Sequence, residues 1–282
     1  MNPYLRIVRV GNLAVSFLGT VVGGLAAAGV GIGLTRFEGI AVLLAAASTT
    51  CVTAGGNVLN DYLDQATDRT NHPDRPLVTG EISPGVARGL AVALFVAAVV
   101  LVLPLLPSAP LVGVILAVCL AVLLGYEFFG KAEGIGGNLL VAFLTGGVFL
   151  YGGAAVGAVV VVVPFAAMAF LATLSREIIK DMEDAAGDVD RRTLPRVHGL
   201  TTATWAARGA VLGAILLSPV PLASLFRGVP LAEVAYLAVV GVADAIFLVS
   251  VLWLPERLHR EQGLSKGAMT VALFAFLATA FR

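Results

Sequence analysis

Asn57, Asp61, Asp64 and Asp68 follow one another at intervals of four, three and four residues. On an α-helix of 3.6 residues per turn, that spacing puts all four on one face. The same intervals recur 120 residues later in Glu177, Asp181, Asp184 and Asp188. Carboxylate oxygens without imidazole or thiolate among them are the donor set of Mg²⁺ or Ca²⁺. Mg²⁺ binds few protein carboxylates and completes its shell with water and substrate phosphate. Arg75, Lys180 and Arg192 stand close to the two stripes in sequence, and Lys131, between the stripes, is a fourth basic candidate. Carboxylates, a divalent ion and basic side chains together fit a diphosphate, whose charge they neutralise as it leaves, and arginine can grip phosphate bidentately.

A plainer reading makes these residues solvated helix ends that anchor the chain at an interface. Two stripes of identical spacing argue against it, because six Asp placed together repel one another and call for a cation between them. A basic segment containing proline follows each stripe, Asn71-His-Pro-Asp-Arg75-Pro76-Leu77 and Arg191-Arg192-Thr-Leu-Pro195. Proline lacks the backbone donor and disfavours helix before it, so both helices should end by these points. The repeated arrangement points to an old internal duplication. No other metal chemistry competes with this one. The two cysteines, Cys51 and Cys119, lie in apolar runs outside any CxxC spacing, and His72, His198 and His259 are scattered without an HExxH pattern.

The elements that must carry these stripes are membrane helices. Hydrophobic residues make up 59% of the chain and charged residues 13%, with a mean hydropathy of +0.95, far above an ordinary soluble domain. Net charge is zero, from 18 Lys and Arg against 18 Asp and Glu, so no overall field points to nucleic acid or to an acidic partner. Apolar runs near the ~20 residues that cross a bilayer fall at 10–34, 40–60, 86–106, 110–129, 135–154, 157–179, 203–224, 232–254 and 267–281, giving nine spans.

Alternating loops then sort the basic residues fifteen to one side and three (Arg36, Arg227 and Arg282) to the other. By the positive-inside rule the N-terminus is cytoplasmic and the C-terminus external. Among the acids only Glu38, Glu233 and Asp244 fall outside the cytoplasmic set, so the working face is expected on the cytoplasmic side of the cell membrane. The first run has features of a signal peptide, with Arg6 and Arg9 before it and small residues from Ala26 to Gly29. Its length, and the topology that depends on it, favour a retained helix. Asp244 lies within the eighth run. An intramembrane acid is a functional candidate by default, and a hydrogen bond between helices is the preferred reading.

These residues resemble the UbiA-type intramembrane prenyltransferases. The hallmarks of that family, Asn-x-x-x-Asp-x-x-x-x-x-x-Asp and Asp-x-x-x-Asp, are met by Asn57, Asp61 and Asp68 and by Asp184 and Asp188. Within the family the chain most resembles the archaeal geranylgeranylglycerol-phosphate geranylgeranyltransferases. Ser175-Arg-Glu-Ile-Ile-Lys-Asp-Met-Glu-Asp184, Gly187-Asp188, Arg192-Thr-Leu-Pro195 and the run Gly136 to Gly146 carry this finer match. It departs from the pattern at Glu127, at Ala132 and in the short segment between Asp188 and Arg192, all of which bear on the acceptor.

The resemblance implies an all-α fold of nine transmembrane helices around a central cavity, as a single domain over residues 1–282. It implies Mg²⁺ bridging Asp61, Asp64 and Asp68 to Asp181, Asp184 and Asp188 through the diphosphate of geranylgeranyl diphosphate. Asn57, Arg75, Lys131, Lys180, Arg192 and Tyr126 would bind that substrate, and Arg9 and Asn12 the phosphate of the acceptor. The nucleophile would be the sn-2 hydroxyl of geranylgeranylglyceryl phosphate, and the product an archaeal ether-lipid precursor. Partners would be membrane lipids and the two lipid-like substrates, with neither nucleic acid nor an obligate protein partner.

Rival readings keep the chemistry but change the acceptor to an aromatic ring of quinone biosynthesis or to haem. A phosphatidyltransferase would show Asp-Gly-x-x-Ala-Arg, which is absent. A secondary transporter would place its acids near the bilayer midplane rather than at helix ends.

Overall fold

The computed structural model describes residues 2–29, 34–130, 135–185, 192–226 and 230–281. Among them, nine helices are long and apolar enough to cross a membrane, and the chain is a multi-pass membrane protein. They are α1 (Val10–Ala28), α2 (Arg36–Leu63), α3 (Pro84–Leu105), α4 (Pro110–Phe128), α5 (Ile135–Ala155), α6 (Val159–Asp184), α7 (Leu194–Ala223), α8 (Pro230–Leu252) and α9 (Leu258–Phe281). Two short helices, Pro3–Ile7 and Gln65–Asn71, flank α1 and continue from α2.

Local sequence explains the starts. Thr35 accepts from the Glu38 backbone at 3.2 Å while Glu38 reaches back to the Thr35 N–H at 2.8 Å, a capping box that opens α2. Pro84, Pro110 and Pro230 stand first in α3, α4 and α8, where their missing N–H costs nothing. Helices α7 and α9 start at Leu194 and Leu258, well before the apolar runs expected at 203 and 267. Their first turns are polar, as in Leu258-His-Arg-Glu-Gln, and extend past the hydrocarbon, where apolar length gives no signal. Gly199, at φ 83° and ψ 159°, interrupts the first turns of α7.

The helices close into a ring in which each of α1 to α3 packs on the next, α5 packs on α1, α4 and α6, and α9 packs on α1, α6 and α8. Phe276 of α9 joins Phe149 of α5 and Phe165 of α6, with ring centroids 5.6 and 4.7 Å apart. Val92, Val96, Val100, Leu212 and Leu216 face outward, as a surface against lipid tails allows.

Helices α1 and α5 approach backbone to backbone. A Cβ on Gly152 would lie 2.1 Å from the Thr20 carbonyl oxygen and 2.6 Å from the Gly24 nitrogen. No rotamer change relieves a clash with main chain, and small residues are what let membrane helices approach this closely. Gly152→Val is therefore expected to destabilise the protein by more than the ~1–3 kcal/mol typical of overpacking, read as a lowered unfolding temperature and loss of the monodisperse peak in detergent. An unchanged unfolding temperature would refute this contact.

Candidate active site

The first acid stripe is built at the end of α2 from two helices rather than one. The expectation of a continuous helix from Asn57 to Asp68 is corrected here. Helix α2 stops at Leu63, Asp64 caps it at φ −89° and ψ 9°, and the chain restarts as Gln65–Asn71. The break swings Asp68 back toward Asp61, and both are buried, at 4% and 3% exposure.

Cations hold the pair. Arg75 Nη1 lies 3.1 Å from Asp61 Oδ1 and 2.5 Å from Asp68 Oδ2, so one cationic nitrogen bridges both carboxylates. Arg9 Nη2 donates to Asp61 Oδ1 at 2.6 Å. Arg9 sits between the helix Pro3–Ile7 and α1 in a left-handed conformation, φ 56° and ψ 70°, uncommon for a residue with a Cβ. The short helix is pinned in turn, because Arg6 donates to Glu81 at 2.9 Å and to the Asp74 carbonyl. The Thr79 hydroxyl, followed by Arg6, holds the exposed Glu81 carboxyl below its ordinary range. Asn57 donates to the Val8 carbonyl at 2.8 Å and accepts from Asn12 at 3.5 Å. Asn60 donates to Asp64 at 3.1 Å.

The second stripe ends α6. Glu177 is buried and pairs with Arg176, and Asp181 accepts from Asn138, at the start of α5, at 2.8 Å. Asp184 is exposed at the last turn. Because α5 packs on both α2 and α6, it sets the spacing between the stripes. Glu183 ties α6 to α9 through His259 at 2.9 Å and Gln262 at 3.1 Å. Lys180 and Arg192 are exposed. Lys131 and Asp188 lie outside the described residues.

Beside the end of α2 lies a cavity of about 920 Å³, near the upper size for small-molecule sites. Its rim carries Arg9, Asn12, Asn57, Asn60 and Tyr126, five polar residues of which four were expected from sequence to bind substrate. Its walls are apolar and include Val22, Leu116, Phe149, Met168, Leu273 and Phe276. Asp61 follows Asn60 directly on α2, so the acid pair adjoins the polar side of the cavity without itself lining it. Asp244 also lines the wall and accepts from Ser218 of α7 at 2.7 Å, the interhelical bond expected of it. Sequence reasoning missed Asn138, Thr173, Arg176 and Lys266, because only tertiary packing brings them to the acids or to the cavity.

Comparison with known proteins gives these features a context. The model described as the UbiA prenyltransferase family matches residues 16–278. Digeranylgeranylglyceryl phosphate synthase of Haloquadratum walsbyi is 39% identical over 280 residues, 97% of this chain and 92% of that one. A solved structure giving structural and mechanistic insights into digeranylgeranylglyceryl phosphate synthase in membranes superposes with a TM-score of 0.81 at 29% identity, covering 99% of this chain and 98% of the other. A UbiA homologue from Archaeoglobus fulgidus bound to GPP and Mg²⁺ shares the fold, with a TM-score of 0.67 at 16% identity over 99% of this chain and 98% of that one.

Proposed function

The chain belongs to the UbiA prenyltransferase family, and from that premise we propose that it moves a geranylgeranyl group from geranylgeranyl diphosphate to the sn-2 hydroxyl of geranylgeranylglyceryl phosphate. It is thus a membrane prenyltransferase of archaeal ether-lipid synthesis. The observation that carries the chemistry is the buried Asp61–Asp68 pair, joined through Arg75, next to the polar side of a large and mostly apolar cavity. A carboxylate pair at the polar end and hydrocarbon walls behind it suit an isoprenyl diphosphate. The relative from Haloquadratum walsbyi, similar over nearly the whole chain, supports the choice of acceptor.

The donor set fits a divalent ion. One cationic nitrogen of Arg75 already satisfies carboxylates from two helices, so the two acids converge on a point where a single cation serves both. Among the described residues no three His, Cys, Asp or Glu side chains gather into one cluster. An ion that takes one or two carboxylates and completes its shell with phosphate and water needs no such cluster. Asp61, Asp64 and Asp68, together with Asp181, Asp184 and Asp188, would hold Mg²⁺, which when bound supplies charge neutralisation for the departing diphosphate.

The protein does the rest by position. Arg9 and Arg75 fix the Asp61 and Asp68 carboxylates in orientation. The cavity walls keep water from the allylic cation formed when the C1–O bond breaks and its electron pair leaves with diphosphate. The acceptor oxygen then bonds to C1, and its proton passes to a carboxylate or to the released diphosphate. By the charge of its loops the acid-tipped end faces the cytoplasm, with the N-terminus on that side and the C-terminus external.

Purified protein incubated with Mg²⁺, labelled geranylgeranyl diphosphate and either geranylgeranylglyceryl phosphate, an aromatic acceptor or haem tests the reading. Label is expected only in the doubly ether-linked phosphate. Label in another acceptor alone would replace this substrate while keeping the reaction class.

A further inference from the structure

We infer that Arg176, Lys266 and Thr173, on the α6–α9 wall of the cavity, bind the phosphate-bearing headgroup of the acceptor, apart from the acids that serve the diphosphate. The inference rests on the acceptor assigned above, which carries a phosphomonoester on the carbon next to the one that bears its reacting hydroxyl. That ester and the departing diphosphate are both multiply negative. Two such groups in one mouth repel unless each has its own cations.

On the α1–α2 side the basic charge is already engaged. Arg9 pairs with Asp61, and Arg75 with Asp61 and Asp68. The opposite wall is supplied differently. Arg176 and Lys266 both line the cavity, on helices that pack against each other. Lys266 makes no ion pair with a described residue. Arg176 spends one guanidinium edge on Glu177, which leaves other N–H donors of its five for a phosphate.

Their depths agree. Glu183 of α6 meets Gln262 of α9 at 3.1 Å. At 1.5 Å per residue, Arg176 lies about 10 Å and Lys266 about 6 Å further in, within about 5 Å of one level. Lysine reaches across such an offset easily.

A separate observation points to a ligand at the same place. Thr173, one turn from Arg176, lines the cavity at 2% exposure, and its Oγ1 has no hydrogen-bond partner among the described residues. The Thr145 hydroxyl on the same cavity bonds to the carbonyl four residues back, whereas that of Thr173 does not, which leaves it able to turn toward a bound polar group. Asp244 does not disturb the phosphate. The Ser250–Ser265 contact sets the register of α8 on α9, which places Asp244 about 7 Å deeper than Lys266, engaged by Ser218.

Steady-state kinetics on the full-length protein test this, with each substrate varied in turn. Lys266→Gln is expected to raise KM for geranylgeranylglyceryl phosphate about tenfold, the scale of one lost charge-assisted hydrogen bond, with KM for geranylgeranyl diphosphate unchanged. Arg176→Gln should do the same, and Thr173→Val more weakly. With geranylgeranylglycerol, which lacks the phosphate, wild type and Lys266→Gln should be equally slow. An unchanged KM for the phosphorylated acceptor in Lys266→Gln, or an equal rise for both substrates, overturns the inference while leaving the assigned reaction standing. Wild-type protein that transfers nothing to geranylgeranylglyceryl phosphate overturns the assigned acceptor and this inference with it. Lys266 is exposed, so its variant folds even if Arg176→Gln does not.

Discussion

Asp61→Asn is expected to lower the maximal transfer rate by at least about a hundredfold, the scale seen when one preorganised electrostatic contact to a developing charge is lost, while the protein stays folded. Asn keeps the shape of Asp but cannot neutralise a cation. The variant removes a buried carboxylate, at 3% exposure, that two arginines share. Deleting one partner of a fully buried ion pair costs about 3–5 kcal/mol because the other charge is stranded. Here neither arginine is stranded. Arg75 keeps Asp68, and the Arg9 and Arg75 side chains are 34% and 21% exposed, so water can solvate what the acid no longer does. The loss should therefore appear in turnover with saturating geranylgeranyl diphosphate, with the unfolding temperature shifted by only a few degrees. Asp68→Asn should behave alike, since Arg75 bridges the two acids. Wild-type turnover in either variant would remove the proposed roles of both.

The spans were legible because membrane helices announce themselves by apolar length alone. The expected starts at 110 and 135 coincide with Pro110 and Ile135. The polar first turns of α7 and α9 escaped because that signal stops at the hydrocarbon edge. The stripes were legible as spacing, and their fine geometry was not. Nothing in the spacing of Asn57, Asp61, Asp64 and Asp68 singles out Asp64 as the break, because Asp61 and Asp68 share its preference for a helix start.

Partners distant in sequence were the least legible. Arg9 reaches Asp61 across 52 residues and Asn138 reaches Asp181 across 43. Both contacts follow from which helices adjoin, a property of the ring rather than of any local window. Arg176 and Lys266 count only as basic residues until packing sets both on one cavity wall.

Chelation of divalent ions is expected to stop transfer, and Mg²⁺ to restore it, yet the sharper expectation concerns how the two stripes share one leaving group. Asp68 belongs to the end of α2 and Asp184 to the last turn of α6, with α5 packed against both helices. If the stripes serve the two ends of one diphosphate, losing either leaves the other little to act with. Asp68→Asn and Asp184→Asn should each cost at least about a hundredfold in turnover and raise the Mg²⁺ concentration for half-maximal rate. The double variant should then fall by about a hundred to a thousandfold, far short of the ten-thousandfold product of independent effects, because residues that act as a unit are not additive. Asp184 is exposed while Asp68 is buried, so a purely structural role would give unequal single effects, with loss of stability confined to Asp68→Asn. Equal kinetic losses with strong coupling require a common ligand between the stripes, whereas multiplied losses would assign the stripes to separate tasks.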